Sequence, residues 1–232
     1  MTGHARPEEA EPAPGPVPAP ESQDPPARPL RRDAVRNHQL VVQAAREVLS
    51  EFGTDASMEL IASRAGVGVG TVYRRFPNKE ALVDEIAGQM LRELTEVARR
   101  ALALPDGSGL ETFLRVIGRS LSEHRGYADK LVGHSKVSCV ELLRDRIAEL
   151  LVQAQESGRV AGGVELGDIM ALIWGLRGIV ETSGAVVPDA WRRHLDIQLA
   201  GLRTARVPQD SPPAVTRAQL RRIGTGAADE DG

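Results

Sequence analysis

The stretch Ala65-Gly-Val-Gly-Val-Gly-Thr-Val-Tyr-Arg-Arg-Phe76, continued by Pro77-Asn78-Lys79-Glu80-Ala-Leu82, decides how the chain reads. Gly66-Val67-Gly68 makes a tight turn, because glycine accepts the positive φ that closes one helix before another begins. Residues 58–65 ahead of the turn read as a short helix with Ser57 offering a capping hydroxyl. Residues 69–76 read as a second, stopped by Pro77, which disfavours helical geometry in the residue before it. Asn78 caps a long helix over 78–103 whose Val83, Ile86, Met90, Leu94, Val97 and Ala101 fall on one stripe. Upstream, Leu40, Val41, Ala44, Ala45, Val48, Leu49 and Phe52 form one face of an amphipathic helix closed by Gly53. Ile61, Val67, Val72, Phe76 and Leu82 read as core.

Three helices in tandem, the last two short and joined by a glycine turn, form a helix-turn-helix pattern. The quoted residues, with Ala44-Ala45, Phe52-Gly53 and Ile61-Ala62 upstream, closely resemble the DNA-binding domain of the TetR family of bacterial transcriptional regulators over about residues 34–86. The resemblance implies double-stranded DNA as partner, with the third helix in the major groove.

Residue chemistry supports that implication independently. Gly68 and Gly70 let the backbone lie close to a partner. Thr71 and Tyr73 present hydroxyls on a short basic helix, as phosphate contacts require. Arg74 and Arg75 can neutralise phosphates or reach guanine edges. Lys79 opposes the macrodipole of the helix it opens, an arrangement that a shared phosphate would rationalise. Arg31, Arg32 and Arg36, with Arg28, precede or open the first helix, as a basic arm entering a minor groove or as a generic basic linker. Together with Ser57, these residues are the expected DNA-facing set.

The charge distribution agrees. The 232 residues carry a net charge of only −3, so any polyanion site must be a local patch. Residues 1–27 sum to −4, residues 28–79 to +4, and the remainder to −3. A basic segment thus lies between two acidic ones. A single cysteine, Cys139, excludes a disulfide framework and a four-cysteine zinc site. No cofactor and no metal are expected. No apolar run is long enough for a membrane span; the best, 169–180, is broken by Arg177. With no basic-then-apolar leader, a cytoplasmic protein and no membrane partner are expected. Gly66-x-Gly68-x-Gly70 lacks a preceding strand, so a dinucleotide-binding reading fails on context, and no other catalytic motif stands out.

The chain is therefore read as all-α: a helix-turn-helix DNA-binding domain at 30–79 followed by a helical ligand-binding and dimerisation domain at 80–207. A proline-rich acidic tail over 1–29 and a second tail over 208–232 flank them, both expected to be disordered, although 214–223 can form a short basic helix. Further helices are expected at 110–124, 127–133, 137–157, 167–184 and 189–206. The helix over 167–184 is apolar nearly all round, so it must be covered on more than one side. Trp191, Leu195, Leu199 and Leu202 make a stripe on the next. The resemblance implies a homodimer through these two helices as a four-helix interface; ordinary core packing is the alternative.

A small-molecule effector, by the same resemblance, would bind among the helices from 78 to 184. Candidate lining residues are Met90, Leu94, Phe113, Ile117, Leu121, Leu143, Ile147, Ile173, Trp174 and Arg177, an aliphatic set poorly suited to stacking flat cationic dyes. Arg177 can meet an anionic ligand or pair with Glu181 one turn on. The expected function is a TetR-type regulator, by family default a repressor, that binds a palindromic operator as a dimer and leaves it on binding its effector. The alternatives are an architectural DNA-binding protein with no effector and an all-α enzyme.

Overall fold

The structure, a computed structural model, describes residues 1–3, 28–125, 137–208 and 210–225, and every regular element among them is helical. In chain order these are α1 (Arg28–Phe52), a 3₁₀ turn (Gly53–Asp55), α2 (Met58–Ala65), α3 (Val69–Arg75), α4 (Lys79–Ala101), α5 (Gly109–Glu123), α6 (Val137–Glu156), α7 (Leu166–Ser183), α8 (Ala190–Thr204) and α9 (Arg217–Thr225). The helix expected at 127–133 lies outside the described residues.

Two apolar cores organise the chain. The first gathers Val41, Val42, Ala45, Val48 and Leu49 of α1, Ile61 and Ala62 of α2, Val72 of α3 with Phe76, and Leu82, Val83, Ile86 and Met90 of α4. The second gathers Ala98 and Ala101 of α4 with residues of α5 to α8, and Leu91, Leu94 and Val97 pack against it. One helix, α4, thus serves both. Arg46 of α1 clamps its middle, pairing with Glu93 at 2.9 Å.

Local signals set the element ends. Ser57 Oγ accepts the Leu60 amide and Asn78 Oδ1 the Ala81 amide, satisfying N–H groups that have no partner within the helix. Gly66, at φ +68°, ends α2 in the left-handed region. Glu165 and Asp168 exchange bonds as a capping box on α7. Gly118 is needed for packing: a Cβ there would lie 2.3 Å from the Trp191 ring.

Three expectations are corrected. First, α1 begins at Arg28, twelve residues before the apolar stripe. Its first half is polar and carries no period to read, while Pro29 suits a first turn, where its missing N–H costs nothing. Along the stripe itself, Leu40 and Phe52 are exposed at its margins and Val42 is buried instead. Second, residues beyond 208 are not simply a tail. The helix α9 docks on α6: Leu220 is fully buried, and Arg217 pairs with Asp145 at 2.6 Å. Thr216 and Gln219 cap α9 reciprocally, and the Val215 backbone runs so close to Gly167 that a Cβ there would sit 2.4 Å from its carbonyl oxygen. Third, the Trp191 stripe faces inward. Trp191 and Leu195 are buried, and Leu199 and Leu202 pack against the same core.

Candidate DNA-binding surface and internal cavity

The first core holds α3 by Val72 and Phe76 and leaves its other side bare. Val69, Gly70, Tyr73, Arg74 and Arg75 are exposed, while Thr71 and Lys79 are half-buried. Residues 60–79 contain four bases and no acid, so this face is uniformly cationic. Thr71 Oγ1 accepts from Arg74 Nη2 at 2.9 Å, drawing that guanidinium along the helix. Arg75 turns the other way and donates from Nε to Nδ1 of His38 at 3.2 Å. The His38 ring stacks on Phe76, 5.5 Å between centroids, and its Nε2 lies 3.7 Å from Glu85. One imidazole thereby joins α1, α3 and α4.

The glycines separate into two kinds. Gly66 has the positive φ that its turn requires. Gly68 and Gly70 lie outside that region, and a Cβ on either would meet nothing within 4 Å. Neither positive φ nor packing within the chain requires them: Gly68 is the N-cap of α3, and Gly70 leaves its exposed face without a side chain.

Ser57 is exposed beside this face and caps α2. Arg36 is exposed on α1. Arg31 and Arg32, expected to precede or open the first helix, fall in its opening turns.

The second feature is a cavity of about 170 Å³ between α4, α5, α6, α7 and α9. Met90, Leu94, Ile117, Leu121, Leu143, Ile147, Ile173, Trp174 and Arg177 line it. Phe113 does not: it is fully buried in the core one turn before Ile117, where α5 has not yet reached the cavity. The wall is aliphatic apart from Ser120, Trp174 and two arginines. Arg177 donates from Nε to Glu181 at 2.5 Å, as the i, i+4 spacing allows. The sequence reading missed Arg144 and Ile223. The first is an arginine on a helix whose apolar pattern gave no reason to bury it, and the second belongs to a helix with almost no apolar pattern.

A helix-turn-helix with a bare cationic third helix, mounted on a helical domain with an internal cavity, defines a DNA-binding regulator. The model for bacterial regulatory proteins of the tetR family matches residues 41–86, and that for the SbtR-like transcriptional regulator C-terminal domain matches 105–204. A TetR transcription regulatory protein from Mycobacterium vanbaalenii is similar at 34% identity, with a TM-score of 0.58, over 75% of this chain and 99% of that one. A TetR transcriptional regulator from Streptomyces coelicolor is similar at 31% identity and TM-score 0.57, over 72% and 98% of the two chains. The HTH-type transcriptional regulator YhgD of Bacillus subtilis is 39% identical over 70 residues, 30% of this chain and 37% of that protein. The chain spans about a third to a half of the length of the curated relatives it matches. It belongs to the TetR family: it is a transcriptional regulator with a helix-turn-helix DNA-binding domain and not an enzyme. No helix among the described residues is long and apolar enough to cross a membrane.

Proposed function

We propose that the protein is a cytoplasmic repressor that binds a palindromic operator as a homodimer and is released from it by a small-molecule effector held in the cavity. Gly68 and Gly70 carry the reading: they leave the N-terminal end of α3 free of side chains where neither the fold nor the backbone asks for it. Tyr73, Arg74 and Lys79, with Thr71 and Arg75, would then meet phosphates and base edges of the major groove, and Arg31, Arg32 and Arg36 would add contacts from α1.

Two copies would read half-sites roughly 34–36 Å apart, one helical turn of DNA. The face available for pairing is the one left outside the core. Its small and apolar members are the exposed Ala171, Gly175, Gly178 and Thr182 on α7 and Ile197, Ala200 and Gly201 on α8, beside exposed charges such as Glu181, Arg193 and Asp196. Small residues let helices approach closely, and Ile197 would supply the apolar contact. An effector acts only through different affinity for the DNA-bound and released conformations. The cavity is suited to this because Ala87 and Met90 of its wall belong to the helix that begins at Lys79.

The test is selection of genomic fragments by the purified protein at physiological salt, followed by sequencing of what is retained. A single enriched palindrome is the expected result. Retention without an enriched motif would favour an architectural DNA-binding protein instead.

A further inference from the structure

Arg144 is the most unusual side chain of the described structure. It is the one charged residue in the buried set, 6% exposed, and it lines the cavity. Its Nη1 donates to Glu141 and its Nη2 to the carbonyl oxygen of Leu220 on α9 at 2.8 Å. Its Nε is buried with no partner. The Nε and Nη2 protons lie parallel on one edge of the guanidinium, the edge that a carboxylate spans with both oxygens. Here Nη2 is taken up by the Leu220 carbonyl and the Nε proton is unused, and a buried donor left unused is costly.

The surroundings favour an anion with an apolar body. Among the described residues no carboxylate lines the cavity: Glu141 and Glu181 bond the two arginines from outside the lining set. The charges on the described wall are Arg144 and Arg177, and the rest of it is nearly all aliphatic. An apolar cavity of about 150 Å³ holds benzene, so about 170 Å³ suits a ligand on the order of six to ten heavy atoms.

We infer that the effector is an aliphatic monoanion of medium chain length whose carboxylate takes the Nε–Nη2 edge of Arg144 in place of the Leu220 carbonyl. This rests on the reading of the cavity as an effector site and names the effector's class. It also assigns a role to α9. The helix closes the cavity with Ile223, one turn past Leu220, and loses its bond to Arg144 when the ligand binds. Of its described anchors, the Arg217–Asp145 pair and the buried Leu220 side chain then remain.

Sodium octanoate, 1-octanol and octylammonium chloride, titrated calorimetrically into the full-length protein, test this. Octanoate should bind at least about tenfold more tightly than either of the others, the strength of a charge-assisted bidentate contact. Arg144→Gln should abolish that preference and leave octanol binding unchanged. Octanoate should also speed tryptic cleavage at Arg217, Arg221 and Arg222 in the wild type and not in the variant. If Arg144→Gln does not fold, Arg144→Lys decides, because it keeps the charge and forfeits the two-proton edge: the preference must fall. Octanol or the cation binding as tightly as octanoate would overturn the anion assignment and leave the cavity a ligand site, as would a preference that survives at Arg144→Gln. Binding of none of the three would overturn the cavity reading as well.

Discussion

Arg75 and His38 are bonded Nε to Nδ1 at 3.2 Å, so the last residue of α3 is held by the first helix. Arg74, its neighbour, bonds only along its own helix in the described structure, to Thr71. The two arginines are equivalent by composition and opposite in setting: Arg75 ties α3 to α1, and Arg74 is the one that, as proposed, would reach a base. Arg74→Ala is expected to relax selectivity at one operator position by about 1–3 kcal/mol. His38→Ala, which removes the acceptor of Arg75, should weaken binding evenly across sequences. Binding to a panel of single-base operator variants at fixed salt separates the two patterns.

Tyr73→Phe and Lys79→Ala should also lower affinity evenly. For Lys79→Ala the slope of log affinity against log salt should become shallower by about one, as for one lost phosphate contact. An unchanged slope at unchanged affinity would remove Lys79 from the interface.

Ser57 has two roles that can be parted. Its hydroxyl caps α2 by accepting the Leu60 amide, so Ser57→Ala should cost about 1 kcal/mol of stability. Aspartate caps equally well and brings a negative charge. Ser57→Asp should therefore keep the melting temperature near wild type and still lose DNA affinity. A variant that is stable and binds normally would confine Ser57 to capping.

Gly118 lies under the Trp191 ring, with no room for a Cβ. Gly118→Val forces α5 and α8 apart and should cost about 1–3 kcal/mol by overpacking, seen as a lower denaturant midpoint. Gly178→Ala on α7, where a Cβ meets nothing within 4 Å, is the control and should raise the midpoint, since alanine is favoured over glycine inside a helix by about 1 kcal/mol.

Asp106 joins the loop before α5 to the one after α6. Its carboxylate accepts from the Ser108 hydroxyl at 2.6 Å, from the Ser108 amide, and from Arg159 at 2.8 Å. The Ser108 hydroxyl first, then its amide and Arg159, hold this carboxyl below the usual aspartate range. A lowered folded value gives stability that is present above the unfolded value, roughly pH 4, and is lost as pH falls through the folded one. Asp106→Asn should thus melt lower than wild type near pH 7, with the gap closing below about pH 4, as thermal melts across that range would record.

The helix-turn-helix was legible in the sequence because each of its boundaries is a local event: the Ser57 cap, the turn at Gly66, the stop at Pro77. The cavity wall was legible for a similar reason, since the apolar stripes of α4, α5 and α6 have only one another to face. The burial of Arg144 and the docking of α9 were not. Arg144 is buried by a partner 76 residues away, which no local pattern carries. The nine residues of α9 include only Leu220 and Ile223 as large apolar side chains, too few for a stripe, so a short basic helix could be read over 214–223 but its packing on α6 could not. The mounting of Arg75 on His38 spans 37 positions and escaped for the same reason.

Because α4 is one unbroken helix of 23 residues rooted in both cores, effector release as proposed would use it as a lever with its fulcrum near the cavity. Lys79 lies about 16 Å from Met90 at 1.5 Å per residue. A tilt of about 10° at Met90 swings that tip by about 3 Å, close to the 3.4 Å rise of one base pair. On the proposed function, a ligand in the cavity that tilts α4 about Met90 by that amount would carry the reading helix out of its groove without any new contact at the DNA.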